Sequence, residues 1–156
     1  MWAIVLVANI AGTVAFAGLL STHSLFIPEI RQALSAVSVV SICGGGIPTI
    51  LKAMLAGWMI ALMVWMLPSA GSAGLFIIVL MTCGIALGQF LHIIAGSAEA
   101  AFAGFTGAAS VGDYFTRFFL PAIICNLFGG VAPAALLNHA PVAHEIAAAT
   151  SQKNDA

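Results

Sequence analysis

Charge is what this sequence lacks most. Its 156 residues include four Lys or Arg and five Asp or Glu, 6% of the chain, where roughly a quarter of a soluble domain is charged. So few charged side chains cannot cover the surface of a water-soluble fold. With a net charge of -1 there is also no basic surface for nucleic acid. Cysteine is scarce as well: Cys43, Cys83 and Cys125 share neither metal-ligand nor CxxC spacing and read as small buried hydrophobes. His23, His139 and His144 lie at span ends or in the tail without ligand-like clustering, so neither a metal site nor a cofactor is expected. No serine-histidine, paired-aspartate or zinc-ligand constellation occurs at helix spacing, which argues against an intramembrane enzyme. A basic n-region is missing before the first apolar run, so no cleavable signal peptide is expected.

What the chain has instead is apolar length. Hydrophobic residues make up 62% and the mean hydropathy is +1.15. That describes an integral membrane protein with room for about four helices of roughly 20 residues. Trp2 to Leu20 is a first span free of charge, and Ile47 to Leu67, carrying Lys52, Trp58 and Trp65, is a second. Between them Pro28 to Leu34 reads as a short amphipathic helix, with proline in its first turn and Glu29 where the dipole favours a carboxylate. Gly44-Gly45-Gly46 and Pro48 punctuate the approach to the second span. A third span runs from near Ala73 to His92 and continues as a half-helix over Ile93 to Phe105. Thr106 to Arg117 reads as a loop, Phe118 to Leu137 as the last span, and Pro141 to Ala156 as a polar tail.

The first and last spans look like copies. VANIAGTVAFAGLL and ICNLFGGVAPAALL align without gaps, pairing Asn9 with Asn126 and Gly12 with Gly129. Two three-helix repeats of opposite orientation place matching helices at their ends, as in many transporters. On that reading residues 1–20 are the last helix of one repeat, 21–46 a connection and 47–140 the whole of the next, with two helices missing from the front. Cations give a thin vote on topology: Arg31, Lys52 and Arg117 flank the first and third connections and Lys153 the other side, which would put those connections in the cytoplasm.

The chemistry concentrates in Gly84 to Phe105, GIALGQFLHIIAGSAEAAFAGF, whose ionisable residues are His92 and Glu99. An ionisable side chain at membrane depth is costly, so it is usually paired, faces a cavity or lies on a transport path. Gly88 and Gly96 are the expected helix break, of the kind that builds a midplane site. Ile85, Leu87, Phe90 and Leu91 form the expected apolar constriction, which excludes hydrated ions. His92 titrates near neutral pH and can share a proton with a weak-acid anion; the plain alternative is a core histidine bonded to a neighbouring helix. Lys52 and Asn126 suit anion attraction. Lys52 is equally a snorkelling residue near a helix end, and Asn126 an interhelical hydrogen-bonding residue. Glu99, seven residues after His92, reads as an interfacial or helix-end group.

The runs GIPTILKAMLAGWMIALMVWMLP, ALGQFLHIIAGSAEA and FFLPAIICNLFGGV resemble the formate/nitrite transporter family, most closely its YfdC-type inner-membrane branch, over nearly the whole chain to about His144. The resemblance implies an all-α membrane protein: about four transmembrane helices of an aquaporin-like inverted-repeat channel fold, the third span interrupted near His92. It makes residues 1–140 a transmembrane channel domain and 141–156 a tail. It implies a multi-pass protein of a bacterial inner (plasma) membrane, a homopentamer when complete, in which each protomer carries small monovalent anions of the formate, nitrite or hydrosulfide class. His92 then matches the central pore histidine, Lys52 the cation of the fourth family helix and Asn126 the asparagine of the sixth. Both termini would be cytoplasmic, which sets the first connection here in the periplasm, against the charge count. Well-studied members read Glu-His-Ser-x-Ala-Asn where this chain has Leu91-His92-Ile93-Ile94-Ala95-Gly96, so formate or nitrite specificity does not carry over. The competing expectation is a non-transporting truncated membrane fragment or accessory subunit.

Overall fold

The structure is a computed structural model that describes residues 1–22, 25–133 and 135. His23, His139, His144, Lys153 and the tail at 141–156 lie outside the described residues. Every regular element among the described residues is helical. In chain order they are α1 (Trp2–Ser21), α2 (Pro28–Cys43), α3 (Ile47–Met66), α4 (Gly74–Leu87) and α5 (Ile93–Phe105), then α6 (Val111–Pro133). By length and composition α1, α3 with the turn that follows it, and α6 can each cross a membrane. At 14 and 13 residues, α4 and α5 reach only about 20 Å each at 1.5 Å per residue, short of the roughly 30 Å hydrocarbon core. They are two shorter apolar helices separated by residues 88–92, which include His92.

Two boundaries correct the sequence reading. The connecting helix does not end at Leu34 but runs to Cys43. Its serines do not break it, because Ser38 donates from Oγ to the Ser35 carbonyl at 2.9 Å and Ser41 finds a partner on α5. The stretch 106–117 is mostly helix as well. Ser110 caps α6 through a reciprocal pair, accepting from the Asp113 N–H at 3.1 Å while the Asp113 carboxylate accepts from the Ser110 N–H at 3.1 Å, the arrangement of a capping box. Within α6, Tyr114–Phe119 is wound as a π-helix, just ahead of Pro121, which has no N–H to give the preceding turn.

α5 lies at the centre, packed by α1, α2 and the π segment of α6. Its alanines Ala100 and Ala103 are fully buried and Phe102 nearly so. Small side chains are what let three helices approach one. A Cβ on Gly96 would lie 2.6 Å from the Phe118 ring, and Phe118 is only 1% exposed. α3 and α6 meet more closely still. A Cβ on Gly57 would stand 2.1 Å from the Asn126 carbonyl oxygen, and one on Gly129 2.0 Å from the Met54 carbonyl oxygen. No side chain fits there, so the two helices cross backbone to backbone, as small residues allow in membrane helix pairs.

Candidate functional site at the helix break

The break opens with a helix stop written in the backbone. Phe90 N–H reaches the Ile85 carbonyl at 2.9 Å and Gln89 N–H the Ala86 carbonyl at 3.1 Å. This 6→1 and 5→2 pair is a Schellman motif, whose left-handed residue is usually glycine. Here it is Gln89, at φ 50°. Gly88 sits one position earlier, where a Cβ would lie 2.8 Å from the Phe90 ring. Its part is to let Phe90 fold back over the helix end. Gly96, expected to share in the break, lies instead within the regular α5; it is a packing glycine beneath Phe118.

Asn126 holds the unwound residues. Its Oδ1 accepts from Ile93 N–H at 2.9 Å, and Nδ2 donates to the Leu91 carbonyl at 2.7 Å and the Ala53 carbonyl at 2.9 Å. Leu91 and Ile93 flank His92, so one amide clamps the backbone on both sides of the imidazole and ties it to α3. Both amide hydrogens are thereby committed, and the donor expected to attract an anion is used inside the fold. The backbone crossing at Gly57 and Gly129 is what brings Asn126 within reach.

His92 is the N-cap of α5, in extended conformation at φ -87° and ψ 130°, and its Nδ1 accepts from Ala95 N–H at a long 3.5 Å. An accepting ring nitrogen carries no proton, so the neutral ring holds its proton on Nε2. The side chain stands between two cavities. A groove of about 840 Å³ is lined by Trp2, Trp58, Trp65, Ile123 and Asn126, and a smaller one of about 300 Å³ by Lys52, Thr49, Thr82, Gln89 and Glu99. His92 and Ile60 line both. The expected constriction residues Ile85, Phe90 and Leu91 are in the wall of the smaller cavity beside His92, whereas Leu87 is 87% exposed on the outer face.

Glu99 departs from the sequence reading. It is not at a helix end but in the middle of α5, facing the same cavity as Lys52 and accepting a hydrogen bond from Ser41 Oγ. Its seven-residue spacing from His92 was the available signal, since two helical turns return to the same face. No group of three His, Cys, Asp or Glu positioned for a metal occurs among the described residues. Cys83 is exposed and Cys125 half-buried, both as free thiols.

A family model described as formate/nitrite transporter matches residues 1–140. The chain belongs to the formate/nitrite transporter family. A curated relative, the inner membrane protein YfdC of Escherichia coli (strain K12), is 35% identical over 146 residues, covering 94% of this chain and 47% of that protein. The chain thus spans about half the length of the curated relative that it matches. No solved structure matches it. Membership agrees with the all-helical fold and the apolar spans of the described residues.

Proposed function

We propose that residues 1–140 form part of a channel domain that passes small monovalent anions across an inner membrane, along a route that runs between the two cavities past His92. The observation that carries this reading is the shared wall: His92 and Ile60 are common to both linings. Lys52 raises the local concentration of anions in the smaller cavity and offsets part of their lost hydration. The larger cavity is walled by Trp, Leu and Val side chains, where a bare anion is unstable and a neutral acid is not. His92 links the two. A proton arriving on Nδ1 displaces the Ala95 N–H, and the ring regains its capping state by handing that proton to the anion, which continues as the neutral acid. Asn126 serves this step by position, holding Leu91 and Ile93 so that the imidazole stays between the cavities. The exposed apolar side chains of α1 and α4, among them Ile4, Val7, Leu75 and Phe76, give the surface for lipid and for assembly into the homopentamer that the family resemblance implies.

The test is His92→Asn, measured by anion flux in proteoliposomes from pH 5 to 8, roughly the range in which an unperturbed histidine changes charge. Asparagine is a favoured N-cap, so the start of α5 is kept. Flux of a weak-acid anion is expected to lose its pH dependence. An unchanged pH profile would remove His92 from the mechanism. No flux from the unaltered chain would favour the accessory-subunit reading.

A further inference from the structure

We propose that Glu99 is a charge-selecting residue: held by Ser41 in the wall of the cavity that Lys52 and His92 also line, its carboxylate disfavours anions that stay charged and leaves the cavity to small weak acids that can take a proton. The assignment starts from placement. A carboxylate is a poor neighbour for an anion route, yet Glu99 is turned into this cavity from the centre of α5 and fixed by a hydroxyl that is itself 8% exposed. Ser41 belongs to α2, so the carboxylate is set by two helices and does not swing away as an anion approaches. Among the described residues, the charged group that shares its cavity is Lys52. α1 has no ionisable side chain. The Glu29 and Arg31 of α2 lie 12 and 10 residues before Ser41, roughly 15 to 18 Å along the helix. In α6, Asp113 and Arg117 pair with each other at 3.0 Å, and Tyr114 donates to Ser97 Oγ at 3.1 Å.

The cavity is therefore set by one ammonium and one carboxylate, with His92 between it and the apolar groove. An anion gains from Lys52 and loses to Glu99. Protonation at His92 removes the loss, because the neutral acid is not repelled, whereas an anion of a strong acid has no such escape. Thr49, Thr82 and Gln89 supply uncharged polar contacts for either form. The selectivity for weak acids rests on the anion route proposed above; the charge of the cavity wall does not.

The experiment reads that charge directly. Ala95 is exposed in the cavity wall one turn before Glu99 on the same face of α5. In a chain with Cys43, Cys83 and Cys125 replaced by alanine, Ala95→Cys is treated with a cationic trimethylammonioethyl and an anionic sulfonatoethyl methanethiosulfonate, each rate being divided by that of a free thiol in solution. The cationic reagent is expected to be favoured by about tenfold, the order set by one unit charge at several ångströms in a wet protein interior. The preference is expected to vanish in Glu99→Gln, whose side-chain carbonyl can still accept from Ser41. A ratio equal to that of the free thiol in the Ala95→Cys chain overturns the proposal whether or not Glu99→Gln folds. So does a preference that survives Glu99→Gln. Thr49→Cys, three residues from Lys52, should show the opposite preference. Absence of anion flux in the unaltered chain would sink the route while leaving these ratios to decide the role of Glu99.

Discussion

Replacing Asn126 with leucine removes three hydrogen bonds at one stroke, and the structure says what becomes of each partner. Ala53 lies inside α3, where its carbonyl keeps the N–H four residues on. Leu91 lies in unwound backbone and Ile93 is the first residue of α5, so no helical neighbour takes over the Leu91 carbonyl or the Ile93 N–H. Interhelical bonds in membrane proteins average roughly 0.6 kcal/mol and reach about 1.7, so three give about 2 to 5 kcal/mol. Two orphaned backbone groups at about 1 to 3 kcal/mol each lead to a similar figure. A loss of about 3 kcal/mol is expected, some two decades in the unfolding equilibrium. The fluorescence of Trp58 and Trp65, which line the larger groove together with Asn126, would follow unfolding in mixed micelles. Amide exchange gives the local test: Ile93 N–H, bonded to Oδ1 at 2.9 Å, should exchange at least tenfold faster, with the interior of α3 unaffected. A destabilisation below about 0.5 kcal/mol, close to the spread of neutral surface changes, together with an Ile93 amide as protected as before, would refute the clamp.

Other expectations can be checked by the same unfolding measurement. Gly129→Ala drives a Cβ to 2.0 Å from the Met54 carbonyl oxygen and should cost about 3 kcal/mol or more by forcing α3 and α6 apart. Its counterpart Gly12→Ala meets nothing within 4 Å and should be neutral or stabilise α1 by up to about 1 kcal/mol; equal effects at the two positions would contradict the crossing. Gln89→Val puts a β-branched residue at φ 50°, a left-handed position that already costs an ordinary L residue about 1 to 2 kcal/mol, and should destabilise by a further 1 kcal/mol or so.

The spans were legible because a run of about 20 apolar residues has little alternative to a membrane helix, and α1 and α3 begin where expected and end within a residue of it. Boundaries written in small polar residues were not. In α2 the serines resemble loop residues until their hydroxyls are seen to bond the preceding turn or Glu99. At Ser110 the S-x-x-D spacing of a capping box was present in the sequence, but Gly107 and Gly112 outweighed it. The break near His92 was legible from its glycines, yet for the wrong reason. The left-handed residue is Gln89, and Gly96 packs beneath a phenylalanine contributed from 22 positions away. Asn126 was recognised as a bonding residue, but its partners lie 33, 35 and 73 residues distant, and no local pattern encodes such separations.

The internal repeat shows how far residue identity alone carries. Asn9 and Gly12 stand in α1 where Asn126 and Gly129 stand in α6, and both are exposed, while Gly129 is buried and Asn126 is half-buried with its amide hydrogens spent. The same side chains thus have opposite environments in two helices of one sequence pattern. What differs is the neighbour: α6 is crossed by α3 at Gly57, and the unwound residues before α5 lie against that crossing, whereas the Cβ position of Gly12 meets no atom within 4 Å. The asparagine therefore does not create the site by itself. The glycine crossing sets the distance, the distance lets one amide reach Leu91 and Ile93, and that reach fixes His92 between an apolar groove and a cavity bearing both signs of charge. Widening the crossing by a single methyl group should consequently disturb the imidazole before it unfolds any helix, which makes Gly129 a positioning residue for His92 although it touches neither cavity.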